Sequence, residues 1–543
     1  MNKYNLVQDP SGMPERVYAL PGLQFPHKTN VTRALFEKVV REGWCDRTAF
    51  ISGENKITYK QVIENTSRYA VALKQINIKV DDRVILRMHD TPEAVYALLA
   101  VQALGAIAVL TFEQFRSDDI LYRVQDTEAK VAVVAEELLD EFIKVADQDS
   151  TLADVLIVDN DPTGRFRSLS ELAPKPAYDI PYADTDADDL ALIVYTSGTT
   201  GRPKGCAHSH RDLLAAGETF ARFGIKLEPT DVIAGPPSLP FSMGLSFLVY
   251  YPFTFGSASI LSPDKSVEYL TSAIEYHKVT VFFSVPTYYS RMLDYLHDND
   301  IDITSLRMTL CGGEPLSTRI AEKWREVSGN HLLQFLGSSE MFHIFISFRY
   351  GEDTPRSDVI GRAIAGYEVV VRDPDTFEEV PTGEPGIMTV RGPTATAYWS
   401  PRDIQSKAVR NGWNVIQDTI YQDGNGFFHF VGRADDMIIS GGFNIAPGDV
   451  EEVLQRHPAV KECACVPSPD DKNERSSVVK AFITLREGYT PADALTREIQ
   501  DFFKQHGTPF MYPRKIEYLQ MLPRGITGKI LRSELKKKEY PSS

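Results

Sequence analysis

The chain has 543 residues, a length that predicts about three or four domain-sized units. Hydrophobic residues make up 43% of it, charged residues 24% and aromatic residues 10%, a composition that can bury a large core and excludes disordered, collagen-like and low-complexity proteins. The 58 Lys and Arg against 74 Asp and Glu give a net charge of −16, which disfavours general attraction to nucleic acid or anionic lipid, so a polyanion must be bound at a local site.

The cysteines and the opening residues indicate the compartment. Five cysteines are too few for a disulfide framework in so long a chain, and Cys463-Ala-Cys465 lacks the second pair that a zinc site would need. The opening segment MNKYNLVQDPSGMPERVY lacks the apolar core of a signal peptide, and its acidic residues argue against a transit peptide. We therefore expect a cytoplasmic protein.

Short apolar runs alternate with longer helical patterns over most of the sequence, which predicts helices packed on sheets. The most apolar stretch, 94–110, is interrupted by Gln102 and Gly105, and a membrane span would need about 18 apolar residues. We interpret it as a buried helix from Thr91 to Leu104 and a buried strand from Ala106 to Leu110. Other predicted strands cover 83–88, 131–134, 155–158, 190–195 and 279–284, and turn-rich connectors cover 174–189 and 351–358.

The pattern changes after Gly432. A turn-rich segment leads into an acidic helix at Val450 to Arg456 and then into strands near 462–466 and 478–485. We therefore predict a multi-domain α/β protein. A large N-terminal domain of layered α/β subdomains covers residues 1–434, and a small α+β C-terminal domain covers residues 435–543.

The strongest local signal for chemistry directly follows the predicted strand 190–195. The segment Thr196-Ser-Gly-Thr-Thr-Gly-Arg-Pro-Lys-Gly205 combines glycines that let the backbone approach an anion, hydroxyl donors and the positive charge of Lys204. Its glycines are too close together for a Walker loop. A surface turn would explain the glycines, but not a run of hydroxyls that ends in a lysine after a buried strand. We predict a phosphate-binding loop, called the phosphate loop below.

The stretch YTSGTTGRPKG resembles the signature loop of the adenylate-forming superfamily, which includes acyl-CoA synthetases, luciferases and peptide-synthetase adenylation domains. Further segments resemble that superfamily's motifs in the same order, so coincidence is negligible. They are the adenine-binding segment Cys311-Gly-Gly-Glu-Pro315, the metal-binding segment Gly337-Ser-Ser-Glu340, the late β segment from Gly386 to Trp399, the ribose-binding Asp418 with the hinge motif Gly432-Arg-Ala-Asp-Asp436, and the lysine loop Pro523-Arg-Gly-Ile-Thr-Gly-Lys529.

This resemblance implies ATP, Mg²⁺ and coenzyme A as cofactors. A carboxylate is already ionised at pH 7, so its attack on the α-phosphate of ATP needs positioning and charge stabilisation rather than a general base. The implied catalytic residues are Lys529, Glu340 and Arg433, and Glu340 is also the implied ligand of Mg²⁺. The residues implied to bind ATP or coenzyme A are Thr196, Ser197, Gly198, Thr199, Thr200, Lys204, Gly313, Glu314, Pro315, Ser339, Asp418, Arg433, Gly441 and Gly442.

The position of Lys529 implies that the C-terminal domain moves. This lysine is remote in sequence from the other implied site residues, and it must reach the phosphates for one half-reaction and withdraw to admit coenzyme A for the other. Asp435 occupies the superfamily's hinge position. Gly441 and Gly442 fall where the superfamily passes the pantetheine arm close to the backbone, although a simple turn is the alternative.

The segment Glu340-Met-Phe-His-Ile-Phe345 resembles the corresponding segment of benzoate-CoA and 2-aminobenzoate-CoA ligases. The implied acyl pocket consists of Phe241, Cys311, Gly312 and His343, although a histidine between apolar residues also fits a satisfied core position. We expect an aromatic carboxylate as the substrate. The alternative is a short- or medium-chain aliphatic acid, because Ser242, Met243 and Cys311 are small or adaptable enough to line a pocket for such a chain.

Three functions compete for this set of motifs. An adenylation module that serves a carrier protein would need an acidic residue after Phe241 to bind an amino acid's ammonium, and Ser242 stands there. A binding protein that has lost catalysis would lack at least one of the motif residues, and all are present. We therefore predict a free-standing acid-CoA ligase. Its expected partners are a carboxylic acid, ATP and coenzyme A, with no nucleic acid and no membrane span, and a homodimer is left open.

Overall fold

The computed structural model describes residues 12–149, 151–159, 161–173, 179–196, 203–314, 316–400, 404–433, 436–440, 443–470, 477–507, 511–525 and 528–540. Over these residues the chain forms three sheets before residue 434 and two smaller sheets after residue 435. The expected multi-domain α/β fold is confirmed. The domain boundary at 434 and 435 lies outside the described residues and stays a prediction.

The strands follow the predicted runs closely, with shifts of one or two residues at their ends. The run 131–134 is a strand with the predicted bounds, and the run 279–284 begins two residues later than predicted. In chain order the strands are β1 Thr48–Ser52, β2 Asn55–Thr58, β3 Arg83–Arg87, β4 Ile107–Leu110, β5 Val131–Val134, β6 Asp154–Ile157, β7 Arg167–Ser168, β8 Leu190–Thr196, β9 Lys204–Ser209, β10 Val232–Ala234, β11 Ala258–Ile260, β12 Val281–Ser284, β13 Met308–Gly312, β14 Leu332–Ser338, β15 His343–Ser347, β16 Arg362–Ala363, β17 Glu368–Arg372, β18 Gly386–Arg391, β19 Tyr398–Ser400, β20 Val409–Arg410, β21 Trp413–Gln422, β22 Phe428–Arg433, β23 Ile438–Ser440, β24 Phe443–Ile445, β25 Val460–Ser468, β26 Val478–Leu485 and β27 Lys515–Tyr518.

The helices cover the sheet faces and supply many of the connections between parallel strands. Two of them continue as wider π-helical segments, Gly217–Gly224 after α7 and Ser246–Tyr250 after α8, and short 3₁₀ turns lie at Pro21–Leu23 and Glu136–Leu138. The α-helices are α1 Val31–Arg41, α2 Tyr59–Gln75, α3 Pro92–Ala103, α4 Ser117–Thr127, α5 Leu139–Gln148, α6 Leu169–Leu172, α7 His210–Ala216, α8 Ser242–Leu245, α9 Tyr251–Phe255, α10 Val267–His277, α11 Pro286–Asp298, α12 Thr318–Ser328, α13 Gln405–Ala408, α14 Pro447–Gln455, α15 Asp493–His506 and α16 Arg532–Glu539.

The first sheet has the order β19-β9-β8-β4-β3-β5-β6-β7, with parallel pairing from β8 to β7 and antiparallel pairing at the β9 and β19 edge. Its central strands are covered on both faces, which explains their continuous apolar sequences. In α3 every residue except Glu93 is buried, so the interpretation of 91–110 as a buried helix and strand is confirmed. None of the helices within the described ranges is long and apolar enough to cross a membrane.

The second sheet has the order β16-β15-β14-β13-β12-β10-β11-β1-β2. β13 and β14 are parallel neighbours in which Gly312 pairs with Phe335, so the segments that follow the two strands leave the sheet at the same edge. In α/β sheets ligands bind beside the carboxyl ends of parallel strands. This edge therefore places the implied adenine and metal segments next to each other.

The third sheet is antiparallel, with the order β17-β18-β21-β20 and β22 paired to β21. The C-terminal domain contains the β23-β24 hairpin and the sheet β25-β26-β27, covered by α14, α15 and α16. Arg532 at the start of α16 forms an ion pair with Glu451 of α14 at 2.6 Å, and Lys536 forms one with Asp436 at 2.7 Å. The helix after the lysine loop is thus fastened both to α14 and to the beginning of the domain.

A buried ion pair joins the N-terminal segment to helix α7. Arg16 donates to Asp212 in α7, with 3.2 Å between Nη2 and Oδ2, and to the carbonyl of Pro393 at 3.1 Å. The Asp212 side chain is 0% exposed. Burial opposes its ionisation, but the charge and hydrogen bond of Arg16, together with His208 and the Ser209 N–H, lower the pKa of the Asp212 carboxyl overall.

We expect Arg16→Met to destabilise the protein by about 3–5 kcal/mol, because it leaves a buried carboxylate without its cation. The control is Arg33→Met, since Arg33 pairs with Glu37 on the exposed face of α1 and its loss should matter little. Thermal unfolding measures both variants.

The pH dependence has a defined sign. The lowered pKa of Asp212 contributes stability that is complete above its unfolded value of about 3.9 and is lost as the pH falls through the folded value. The difference in the free energy of unfolding between wild type and Arg16→Met should therefore become smaller at acid pH. A difference that widened on acidification would contradict this assignment.

Candidate active site

The phosphate loop connects two antiparallel strands. β8 ends at Thr196, which pairs with Lys204 at the start of β9. Both flanks are fastened to α4: the Tyr195 hydroxyl donates to the Asp126 carboxylate, and the Tyr122 hydroxyl donates to the carbonyl of Pro203 at 3.1 Å. The predicted phosphate ligands Ser197, Gly198, Thr199 and Thr200 lie outside the described residues, so their roles stay predictions.

The implied metal segment lies against the same strands. Ser339 and Glu340 form a turn after β14, with the Ser339 hydroxyl 3.3 Å from the hydroxyl of Ser242. Glu340 Oε1 accepts a hydrogen bond from the Tyr398 hydroxyl at 3.1 Å. Burial, and next the nearby Glu340 carboxylate, raise the pKa of the Cys206 thiol on β9, so Glu340 is close to the strand that starts at Lys204.

Glu340 is suited to a metal ion that arrives with phosphates. Mg²⁺ in nucleotide sites is typically held by one or two carboxylates together with substrate phosphates and water. Glu340 is half-buried and lies beside the strands that flank the phosphate loop. Among the residues in the described ranges, no group of three or more His, Cys, Asp or Glu is placed to hold a metal by itself. A single carboxylate at this position fits Mg²⁺ bound to a nucleotide.

Lys529 lies directly beside the implied adenine segment. Gly313 has a φ of +84°, and a Cβ placed there would be 3.3 Å from Lys529 Cε and 3.6 Å from Lys529 Nζ. Only glycine accommodates this φ without strain and leaves room for the lysine. The structure therefore brings a residue of the C-terminal domain to the carboxyl end of β13, which is the arrangement expected for adenylation.

Glu314 is the carboxylate closest in sequence to this contact. Burial raises its pKa, and the charges of Arg524 and Lys529 oppose that rise. Its Oε1 is buried without a hydrogen-bond partner among the described residues. Pro315, the last residue of the implied adenine segment, lies outside the described residues. Glu314 thus lies between the second sheet and two cations of the lysine loop.

The lysine loop is closed by its own backbone. Gly525 N donates to the Lys529 carbonyl at 2.9 Å, and Leu531 N donates to the Pro523 carbonyl at 2.8 Å. Arg524 donates to the carbonyl of Gly528 at 2.6 Å and to the Glu462 carboxylate at 2.7 Å. No role was predicted for Arg524 from the sequence, although its position in the lysine loop could have indicated one.

Two hydrogen bonds join the C-terminal domain to the second sheet's helix α12. Thr318 Oγ1 donates to Glu452 at 3.2 Å, and Arg319 donates to the carbonyl of Gln455 at 3.4 Å. Both acceptors belong to α14. These contacts hold the domain in the position that places Lys529 beside Gly313.

The implied ribose residues face each other across one hairpin. Asp418 on β21 and Arg433 on β22 are directly paired in the antiparallel ladder. The two residues are 15 positions apart in sequence but adjacent in the sheet, so one local hairpin holds both positions. The hinge candidate Asp435 and the pantetheine candidates Gly441 and Gly442 lie outside the described residues.

The residues of the implied acyl pocket are aromatic or closely packed. The ring of Phe241 lies 4.4 Å from that of Phe112, which follows β4 and was not identified from the sequence. Cys311 is buried, and burial raises the pKa of its thiol, so it is a neutral group at pH 7. A Cβ at Gly312 would be 2.3 Å from the ring of Phe335, so only glycine fits there.

His343 occupies a satisfied position. Its Nε2 accepts from Phe220 N at 3.3 Å and contacts the Thr219 hydroxyl, and its Nδ1 lies 3.4 Å from the Tyr251 hydroxyl. Burial lowers the pKa of His343 to about 3, so the ring is neutral at pH 7. These contacts engage both ring nitrogens with the π-helical segment after α7 and with α9. Its role in binding the acyl group stays a prediction.

The comparisons with known proteins agree with this geometry. The model for the AMP-binding enzyme family matches residues 36–399, and the model for the AMP-binding enzyme C-terminal domain matches residues 449–529. The chain therefore belongs to the AMP-binding enzyme family.

Its relatives align over nearly the whole chain. Benzoate–CoA ligase of Thauera aromatica is 28% identical over 522 residues, which cover 95% of this chain and 97% of that protein. The mitochondrial acyl-coenzyme A synthetase ACSM3 of Homo sapiens is 30% identical over 497 residues, which cover 90% of this chain and 84% of that protein. The crystal structure of the anthranilate CoA ligase AuaEII in complex with anthranoyl-AMP matches with a TM-score of 0.90 at 28% identity, over 96% of this chain and 99% of that chain.

The contact between Gly313 and Lys529 generates a test. We expect Gly313→Ala to lower ATP–pyrophosphate exchange about tenfold or more, because the added methyl group displaces the lysine from a preorganised position. Gly329→Ala is the matched control: Gly329 also has a positive φ, of +73°, but a Cβ there meets nothing within 4 Å. Both variants carry the same kind of backbone strain, so equal losses of exchange would contradict a specific role for the space above Gly313.

Proposed function

We propose that the acid which this enzyme activates is an aromatic carboxylate of benzoate size, such as benzoate or 2-aminobenzoate. The enzyme itself is an AMP-forming acyl-CoA synthetase. It uses ATP to form an acyl-adenylate with release of pyrophosphate, and it then transfers the acyl group to the thiol of coenzyme A. The observation that supports adenylation most directly is Lys529 beside Gly313 at the end of β13.

The proposed residue roles follow from charge. A carboxylate oxygen attacks the α-phosphorus as the bond to pyrophosphate breaks, so negative charge must be stabilised around the phosphates. Lys204, Lys529 and Arg433 supply positive charge, and Asp418 binds the ribose hydroxyls. Mg²⁺, held through Glu340, would neutralise charge on the phosphate oxygens when bound. The thiolate of coenzyme A then attacks the acyl carbon, and AMP leaves.

The aromatic assignment rests on Phe241 and Phe112. Their rings lie 4.4 Å apart and are tilted by 59°, and Phe241 is only partly buried, so it retains a surface for another ring. The likeness to a benzoate–CoA ligase and to an anthranilate CoA ligase supports the same substrate class. The free cysteines support the proposed cytoplasmic location, because reduced thiols persist in a reducing compartment.

The role proposed for Lys529 separates the two half-reactions. Lys529→Ala should slow acyl-adenylate formation by at least about 10²-fold, the scale of losing one preorganised charge donor, and should spare thioester formation from supplied acyl-adenylate. Lys537→Ala, which removes an exposed lysine of α16, is the control. Single-turnover assays measure each half-reaction, and equal loss in both would exclude a role for Lys529 confined to adenylation.

The substrate class is tested by competition between acids. We expect higher kcat/KM for benzoate and 2-aminobenzoate than for butyrate, hexanoate and octanoate at saturating ATP and coenzyme A. Phe241→Leu should lower kcat/KM for benzoate about threefold to tenfold, the range expected for one aromatic pair, and should affect hexanoate less. Phe115→Leu is the control. The ring of Phe115 lies 5.2 Å from that of Phe112, so this variant tests whether altered packing of Phe112 is enough to lower kcat/KM for benzoate. A higher value for any of the aliphatic acids than for both aromatic acids would refute the aryl assignment and leave the ligase class intact.

A further inference from the structure

The segment from Gly386 to Trp399, which resembles the superfamily's late β segment, ends in two aromatic residues, Tyr398 and Trp399. Tyr398 begins β19 and is 5% exposed. Its hydroxyl donates to Glu340 Oε1 at 3.1 Å, although the two residues are 58 positions apart in sequence. The motif therefore delivers a hydrogen-bond donor to the carboxylate that is proposed to hold the metal ion.

The main chain of Tyr398 is fixed independently of Glu340. Tyr398 pairs with Cys206 across β19 and β9, and its N–H donates to Gln405 Oε1 at 2.9 Å. The amide nitrogen of Gln405 donates in turn to the Thr396 carbonyl at 2.9 Å. Gln405 is itself buried, so this arrangement is isolated from water. The sheet thus determines where the hydroxyl lies, and the hydroxyl determines where Glu340 Oε1 lies.

We propose that Tyr398 is a positioning residue that holds the Glu340 carboxylate in the orientation in which it binds Mg²⁺ with ATP. A glutamate has three side-chain torsions, and a donor fixed on one oxygen restricts the direction of the other. Partners that orient a metal-binding carboxylate typically change metal affinity by about 10–100-fold when they are lost. This inference rests on the proposed function of Glu340.

Tyr398→Phe tests the inference with the smallest change available. It removes only the hydroxyl, and we expect the Mg²⁺ concentration for half-maximal pyrophosphate exchange to rise about tenfold or more. The KM for the carboxylic acid should change less than about twofold, because the residues of the implied acyl pocket are unchanged. Equilibrium binding of Mn²⁺ in the presence of a non-hydrolysable ATP analogue, followed by electron paramagnetic resonance, should weaken by a similar factor without turnover.

The control is Tyr59→Phe. Tyr59 is fully buried, and its hydroxyl lies within hydrogen-bond distance of the carbonyls of Pro252 and Ser257. It reports the effect of losing a buried tyrosine hydroxyl away from Glu340, so it should lower thermal stability without changing the Mg²⁺ requirement. If Tyr398 has a purely structural role, Tyr398→Phe and Tyr59→Phe should have the same effect on thermal stability and on the Mg²⁺ requirement.

Glu340→Gln separates failure of this inference from failure of the proposed function. If Glu340→Gln leaves Mn²⁺ binding unchanged, Glu340 is not the metal ligand. The role proposed for Glu340 and the positioning role of Tyr398 are then both wrong. If Glu340→Gln weakens binding and Tyr398→Phe does not, the positioning role alone is overturned. In the double variant, Tyr398→Phe should add no further loss.

A second variant addresses the case in which Tyr398→Phe fails to fold. Gln405→Met removes the acceptor of the Tyr398 N–H and keeps the hydroxyl, so it should raise the Mg²⁺ requirement in the same direction. An unchanged Mg²⁺ requirement in folded Gln405→Met would contradict the proposal that the strand fixes the hydroxyl.

Discussion

The approach of Lys529 to the backbone of Gly313 is the contact on which the proposed adenylation geometry depends. The lysine comes from the C-terminal domain, while the glycine ends a strand of the second sheet. They meet where residue 313 lacks a side chain and adopts a φ of +84°, and a Cβ there would lie 3.3 Å from Lys529 Cε. The hydrogen bonds between α12 and α14 hold the two bodies in this arrangement. The rest of the site is compatible with this contact because β13 and β14 end at the same edge.

A protein with a net charge of −16 must concentrate positive charge locally to bind a nucleotide. The three cations that we propose to supply that charge come from separate elements: Lys204 starts β9, Arg433 ends β22, and Lys529 lies in the lysine loop. Each cation depends on a different part of the fold for its position. The positive charge of the proposed site is therefore local, and it stands against a net charge of −16 for the whole chain.

The sequence predicted the elements better than the contacts between them. The strands 131–134 and 478–485 have the predicted bounds, because a run of β-branched and apolar residues signals a buried strand locally. Phe112 beside Phe241 was not predictable in this way, since their contact depends on how β4 and the segment before α8 are arranged in space. Tyr398 was inside a quoted motif, but its hydrogen bond to Glu340 arises from the pairing of β19 with β9, which no local pattern encodes. Recognising a motif thus identified the reaction, while the order of strands decided which side chains meet.

The ion pair between Asp436 and Lys536 has a mechanical consequence. Asp436 is one residue beyond the proposed hinge, and Lys536 belongs to the helix that follows the lysine loop. Arg532 fastens the same helix to α14. A rotation at residue 435 would then move Lys529 together with the rest of the domain as one rigid body. If residue 435 is the hinge, the movement proposed for Lys529 would depend on the backbone at that one position, and the two ion pairs would keep the rest of the domain rigid during the change between half-reactions.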